Sequence, residues 1–494
     1  MATKKSRQVR EFGDFQTPQD LVSQAIGVMI HSGFSPKSIL DPTCGKGSFL
    51  LAAANSFTAA NTLVGVDINS DYLREIHRQC KEEWQTTIKT IHADFFTFDW
   101  EMLINELEEP IAIIGNPPWI TSAELGELGS SNLPQKSNFK GRKGIEALTG
   151  KSNFDISEWM LLKHIEWLQT KKGFLAMLCK TSVARKVLIH VWKTGQILGT
   201  SGIYRINAMK HFDASVDACL FIVDYTVRGT KSFDCNVYDS LRYQKPSHVI
   251  GYREGALLSD IMLYKKWHGL LGQDKHYVWR SGIKHDCYKV MELEREGGLF
   301  INGYGEMVEL EETYVYPLYK SSDISNGRLQ FNKYVIVPQR TTGEDTSHIA
   351  TDAPKTWAYL IKNAEKLDRR RSIIYKKRPR FSIFGVGGYS FVPWKVAISG
   401  FYKNLSFKVL APTNEKPAMV DDTVYFLSCK SNAEAEFLAD ILNSEPSQEA
   451  LNSLIFWDNK RPITTGVLNC LDIRTVAEEL SRENEYDSYT TELA

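Results

Sequence analysis

Asn116-Pro117-Pro118-Trp119 brings together, in four consecutive positions, residue types that could hold a planar amine. An exocyclic amine on an aromatic ring is a poor nucleophile because its lone pair is delocalised, so a site that uses one must favour a pyramidal nitrogen. Two acceptors can do this. The Asn116 side-chain oxygen and the Pro117 backbone carbonyl could each take one N–H, leaving the lone pair aimed outward. Trp119 adds a flat apolar face. The same tetrad would also serve as a rigid strand exit, in which two fixed φ angles turn the chain and the indole covers the core. The choice between the two rests on the surrounding segments.

The tetrad follows an apolar run at 111–114 and Gly115, which reads as a short buried strand. Strands at 38–40, 64–68 and 88–92 precede it, with helix-forming stretches at 50–54 and 70–85, and a further helix follows at 154–171, capped by Asn153. This alternation predicts an α/β fold, a parallel sheet with helices on both faces. Ligands of such sheets sit outside the carboxyl ends of the strands. The first strand runs into Asp41-Pro42-Thr43-Cys44-Gly45-Lys46-Gly47, where two glycines let backbone approach a ligand. Asp67 ends the second strand about 20 positions past Gly47, where a dinucleotide-type fold grips ribose hydroxyls, although alone it could be a helix N-cap. Asp94-Phe95 ends the third, a carboxylate beside a ring, suited to a purine's amino group and face. Four such turns in this order favour one pocket over four unrelated structural turns.

With these motifs the chain resembles the gamma group (TaqI-like) of S-adenosylmethionine-dependent N6-adenine DNA methyltransferases, well over 12–225 and loosely beyond. Phe15-Gln16-Thr17-Pro18 resembles the family's N-terminal cofactor motif. The resemblance assigns Thr17, Asp41, Pro42, Thr43, Cys44, Gly45, Gly47, Asp67, Ile68, Asp94, Phe95, Asn116 and Pro118 to the cofactor, and Asn116, Pro117, Pro118 and Trp119 to catalysis. His211-Phe212-Asp213 resembles the segment that supplies a second ring, so that Trp119 and Phe212 would sandwich a flipped-out adenine. Trp119 stands where the family often has Tyr, which keeps the ring face and removes the hydroxyl. The implied fold is a Rossmann-like class I methyltransferase sheet of seven strands, the last antiparallel, followed by an α+β target-recognition domain. Strands at 173–178, 203–208 and 219–225 would complete the sheet, with catalytic residues in 1–231 and recognition in 232–494. The implied reaction is direct in-line methyl transfer to adenine N6 in double-stranded DNA, as the protective modification enzyme of a restriction-modification system. No metal and no thiol nucleophile are required.

Composition is consistent with this. The chain has 494 residues, enough for two or three domains, and 43% hydrophobic content suits globular cores. The segment 1–10 is polar and basic without a signal-like apolar stretch, and no run is apolar enough to span a membrane. A cytoplasmic, prokaryotic monomer is expected. Eight cysteines include no C-x-x-C pair, so neither a zinc site nor a disulfide framework is indicated.

Net charge is zero, but its distribution matters more for a nucleic-acid partner. Arg369, Arg370, Arg371, Lys376, Lys377, Arg378 and Arg380 form a basic stretch with no acidic residue between them, followed by glycines and by Tyr389, Phe391 and Trp394. This suits a phosphate-tracking surface, with a solvated helix face and glycine-rich hairpin as the alternative. The Gly/Ser/Asn-rich segment 126–151, carrying Lys140, Arg142 and Lys143, reads either as a loop that orders against DNA or as a plain insertion. Segments 279–286, 316–324 and 375–400 resemble parts of related recognition regions, 433–442 reads as a helix, and the polar end from Glu478 is expected to fray. Three other functions use these motifs: an RNA adenine or protein glutamine methyltransferase, a catalytically silent DNA-recognition subunit, or half of a restriction enzyme. No nuclease constellation is visible, so a cognate endonuclease, if there is one, is expected to act separately.

Overall fold

The computed structural model describes residues 16–84, 87–120, 155–227, 231–328 and 333–491. The chain divides into two compact units, Met1–Ile261 and Met262–Ala494.

Short, largely apolar runs build the first unit's sheet, several of them closed by Gly or Asp. Its strands are β1 (Ser38–Asp41), β2 (Thr62–Asp67), β3 (Ile88–His92), β4 (Ile111–Gly115), β5 (Gly173–Lys180), β6 (Thr200–Ile206) and β7 (Ala218–Asp224). They lie in the order β3-β2-β1-β4-β5-β7-β6. β7 runs antiparallel to both β5 and β6, and β1 to β5 are mutually parallel. This is the expected class I methyltransferase sheet. β4 is buried along its whole length, as a central strand covered on both faces must be.

The helices are α1 (Gln19–His31), α2 (Ser48–Ser56), α3 (Ser70–Gln79), α4 (Trp100–Glu106), α5 (Ile156–Leu168), α6 (Thr181–Thr194) and α7 (Ala208–Phe212). On one face Leu21, Ala25 and Met29 of α1 and Leu50 and Ala53 of α2 pack with Ile39, Ala112, Ile114 and Phe174 of the sheet. α5 begins later than expected, because the Asp155 side chain, accepting from Ser157 N at 3.2 Å, provides the cap in place of Asn153.

Two expectations change. Strands β8 (Asp234–Tyr238), β9 (His248–Arg253) and β10 (Ala256–Leu258) continue the sheet beyond β6, so the first unit runs to Ile261 rather than ending at 231. Their inward residues, such as Cys235, Val237 and Ile250, alternate with half-exposed polar ones, which in sequence lacks the apolar run of a central strand. The polar C-terminus is also built in. Helix Glu483–Thr490 buries Tyr486, whose hydroxyl lies 3.0 Å from both carboxylate oxygens of buried Asp274.

The second unit is α+β. A six-stranded sheet runs, in spatial order, Met307–Val308, Leu299–Asn302, Glu292–Glu296, Lys333–Ile336, Val315–Tyr319 and Met419–Val420. A four-stranded antiparallel sheet is made of Arg280–Ser281, Val424–Cys429, Trp394–Ser399 and Lys408–Leu410. Helix Asn432–Asn443 packs on the second sheet, matching the expectation over 433–442. No helix among the described residues is long and apolar enough to cross a membrane.

Candidate active site

Spatial order turns four scattered turns into one row. Because β3, β2, β1 and β4 are adjacent and parallel, their carboxyl ends present Asp94, Asp67, Asp41 and Asn116 side by side. The strand order reverses between β1 and β4, where the crossing connections leave a crevice in sheets of this kind. A cavity of about 460 Å³ lies there, within the range of small-ligand sites.

Thr17, Asp41, Pro42, Thr43, Cys44, Gly45, Asp67, Ile68, Asp94, Phe95, Asn116 and Pro118 all line this cavity. Gly47 does not. It caps α2 with φ +79°, and a Cβ there would fall 2.7 Å from Ile76 Cγ1, so its absent side chain serves the packing of the turn against α3. Gly115 has a comparable constraint that the sequence did not show: at φ +144°, its Cβ would stand 2.5 Å from an Asp41 carboxylate oxygen.

The carboxylates are tied to backbone. Asp67 accepts from Gly45 N and from Asn69 N, both at 2.8 Å, and so joins the first two turns; the cap of α3 is Asn69, not Asp67. Asp94 accepts from Phe96 N at 2.9 Å. Asp41, 2% exposed, accepts from Thr43 N at 3.3 Å. Burial pushes its carboxyl up to about 8, against the Thr43 hydrogen bond and with a further push from Asp67. Burial likewise raises the Cys44 thiol well above its ordinary value, keeping it neutral.

Phe95 forms one wall and is backed by Trp100 (4.9 Å between centroids), His164 (5.7 Å) and Trp167 (6.0 Å). His164 is fully buried, and desolvation lowers its pKa to about 3, so it packs as a neutral ring. Tyr72, Phe96 and Met160 also line the cavity. In sequence they look like any apolar helix or loop residue, and only the fold brings them here.

In the tetrad, the Asn116 amide nitrogen donates to the Thr17 hydroxyl at 3.2 Å, which links the N-terminal motif to the fourth strand end and fixes the amide plane. Pro117 is buried. Trp119 donates from its indole nitrogen to the Leu178 carbonyl at 3.4 Å, and its own carbonyl accepts from Lys180 Nζ at 3.4 Å. Lys180 is held in turn by Asp155 at 2.6 Å. Trp119 meets Phe212 edge to face, with centroids 5.1 Å apart and planes at 68°. The two rings are therefore direct neighbours rather than two walls of a parallel slot: they meet edge to face, and both are buried.

Lys140, Arg142 and Lys143 lie outside the described residues. The basic stretch of the second unit is partly spent internally. Arg380 pairs with Asp368 at 2.6 Å and Arg369 with Glu365, while Arg370 donates to the carbonyls of Leu367, Ser382 and His285. Lys376, Lys377 and Arg378 are exposed.

The residues around the cavity fit S-adenosylmethionine, a cationic nucleoside derivative. Three aspartate side chains line it, Asp41 among them in its protonated form near neutrality, and no lysine or arginine does, while Thr43 Oγ1 is buried without a hydrogen-bond partner among the described residues. A model of the N-6 DNA Methylase family matches residues 2–185. The chain is 44% identical over 469 residues to the type II methyltransferase M.NspV of Nostoc sp., covering 95% of this chain and 97% of that one. It belongs to the type II N-6 DNA methyltransferases. It is thus a site-specific DNA methyltransferase acting on adenine N6, with S-adenosylmethionine as cofactor. M.BanIII of Aneurinibacillus aneurinilyticus, also a type II methyltransferase, is 29% identical over 154 residues, 27% of this chain and 26% of its own. Among solved structures, the type IIL restriction-modification enzyme MmeI, in complex with DNA, superposes with a TM-score of 0.52 at 12% identity. That match covers 94% of this chain and 64% of MmeI, and it shows a shared fold.

Proposed function

We propose that Asn116 and Pro117 are the two acceptors for the adenine amine of duplex DNA, and that the enzyme belongs to the gamma (TaqI-like) group. The observation that carries this reading is the Asn116–Thr17 hydrogen bond at the cavity edge. With its amide nitrogen donating to Thr17, the Asn116 side chain is held with its oxygen as the acceptor end of the amide, the chemistry an amine requires. Together with the Pro117 carbonyl it would take both N6 hydrogens and pyramidalise the nitrogen. The cofactor, when bound, supplies a methyl group on a positively charged sulfonium. Asp41, Asp67 and Asp94 would hold its polar and cationic parts, and Phe95, Ile68 and Pro118 its adenine. Cofactor motifs first, the tetrad next and a large C-terminal unit last is the gamma-group order.

Adenine N6 is buried in the duplex stack, so the base must be extruded, at a cost of a few kcal/mol. Trp119 and Phe212 are its proposed stacking partners. For either face to open, one ring has to swing away from the other. That forfeits an edge-to-face contact of roughly 0.5–1.5 kcal/mol and is offset by base stacking of roughly 1–3 kcal/mol. Lys376, Lys377 and Arg378 are the proposed phosphate contacts, with Lys140, Arg142 and Lys143 as further candidates. In this reading the enzyme works as a cytoplasmic, prokaryotic monomer within a restriction-modification system, and any cognate endonuclease is a separate chain. Labelled-methyl transfer to duplex DNA, RNA and protein in parallel tests the substrate class. Transfer to RNA or protein in preference to DNA would overturn it. Sequencing of modified host DNA would then give the site and strand.

A further inference from the structure

Once the internal pairings of the 369–380 segment are removed, the cations left over flank one exposed aliphatic side chain along the chain. Ile373 opens a single 3-10 turn, Ile373–Tyr375, and is 77% exposed, more than any other large hydrophobic residue among those described. A lone exposed isoleucine is ordinary on a protein surface. Its mounting is what sets this one apart. The Tyr375 hydroxyl donates to the Lys284 carbonyl at 3.2 Å, and the ring meets Phe384 edge to face at 5.5 Å. The Arg370 guanidinium lies 3.8 Å from the centroid of the Tyr375 ring and donates to the Ser382 carbonyl at 2.7 Å. These contacts pin the turn on both sides of Ile373, so the side chain cannot fold onto the core without breaking them. Arg371, Lys376, Lys377 and Arg378 flank it in the sequence and are all exposed, and none forms an ion pair with a carboxylate among the described residues.

We propose that Ile373 is an apolar wedge that enters a base-pair step of duplex DNA while Arg371, Lys376, Lys377 and Arg378 hold the flanking phosphates. The inference rests on the duplex-DNA reading above and adds how the duplex is engaged. An aliphatic side chain has no hydrogen-bonding group with which to read base edges, and beyond a thymine methyl the apolar surface a duplex offers it lies between base faces. Wedges of this kind unstack one step and kink the duplex by roughly 20–90°. Unstacking costs least at pyrimidine–purine steps, so the wedge would read deformability rather than hydrogen-bond pattern. Cations on either side hold the backbone in register, and a pinned turn can deliver the wedge where a loose loop would yield.

The test uses the full-length enzyme and a short duplex carrying its methylation site, labelled at the two ends with a donor and an acceptor fluorophore. Wild type should raise transfer efficiency on binding. Ile373→Ala should keep the melting temperature, the cofactor affinity and the salt slope of DNA binding. It should lose most of the bend, and its duplex affinity should fall roughly ten- to a hundredfold. A mismatch placed at the kinked step should restore much of that affinity, and Ile373→Met should retain the bend. Equal bend and equal affinity for wild type and Ile373→Ala would overturn the wedge alone. Failure of wild type to bind any duplex would overturn the DNA reading beneath it.

Discussion

The strand-end turns of the first unit and the basic segment of the second both concentrate residues of one chemical kind, and the fold uses them in opposite ways. At the carboxyl ends of β3, β2, β1 and β4 the acidic and amide side chains converge on one cavity. Their hydrogen bonds to backbone, Asp67 to Gly45 and Asn69, Asp94 to Phe96, shape that cavity without closing it. Along 369–380 the side chains diverge: Arg369, Arg370 and Arg380 turn to carboxylates and carbonyls of their own unit, and the others face solvent. The lesson concerns what positions a group. A residue at the end of a parallel strand is placed by the sheet, whose spacing is set by backbone hydrogen bonds. A residue on an irregular surface segment is placed by whichever partners happen to be near.

If that contrast is right, changes at the strand ends should be severe and specific. The largest effect is expected for Asn116→Ala, which should lower single-turnover methyl transfer by roughly 10²–10³-fold, the usual loss on removing one oriented polar group from a reacting centre. Cofactor affinity, measured by calorimetry, should fall far less. Near-normal transfer would break the assignment.

Next comes pH. Free Asp41 carries its proton up to about 8, whereas the unfolded carboxyl releases it near 3.8. That protonation favours the folded state fully below 3.8, and the contribution is lost as pH rises through about 8. A cation held against Asp41 favours the ionised form, so on the proposed reading cofactor binding below pH 8 is coupled to release of that proton. Affinity should therefore weaken as pH falls from 8, by up to about tenfold per unit. Asp41→Asn should remove that share of the dependence. An unchanged profile in the variant would detach Asp41 from the cofactor.

Gly47→Ala separates packing from lining. The new Cβ meets Ile76 and sits at positive φ, so about 1–3 kcal/mol of stability should be lost, read from denaturant midpoints. In an Ile76→Ala background, itself destabilised by loss of a buried side chain, Gly47→Ala should cost less than it does in wild type. Full stability in the single variant would contradict the packing role.

The smallest effects belong to the basic segment. Lys376→Gln and Lys377→Gln should each flatten the log–log salt dependence of DNA binding by about 0.9, similarly for all sequences. Arg380→Gln should change it less, since Asp368 already neutralises that charge. A larger effect at Arg380 than at the two lysines would reverse the division drawn here.

Much of this arrangement is legible in the sequence. Asp41, Asp67, Asp94 and Asn116 each follow a short strand-like run, apolar in all but the third, and a chain that alternates such runs with helices in a parallel sheet places their ends on one edge. The packing role of Gly47 is not legible in the sequence, because a glycine that spares a ligand and one that spares a neighbouring helix look alike there; Ile76, which a Cβ would meet, lies a helix away. Tyr72, Phe96 and Met160 were missed for the same reason, since nothing local distinguishes an apolar residue facing a cavity from one facing the core. Strands β8 to β10 were passed over because their alternation is short and half polar.

The sequence by itself determined the chemistry: a tetrad offering two acceptors and a ring, four polar strand ends in order, and a large second unit following them. Those are properties of residue type and spacing along the chain, and they survive any arrangement that keeps the strands parallel. The tertiary structure alone decided which side chains share a space. It set Thr17 against Asn116, turned Trp119 edge-on to Phe212, buried Asp41 until its carboxyl holds a proton near neutrality, and left Ile373 exposed. Each of these depends on atoms far apart in the chain coming within a few ångströms, and on how much water remains between them.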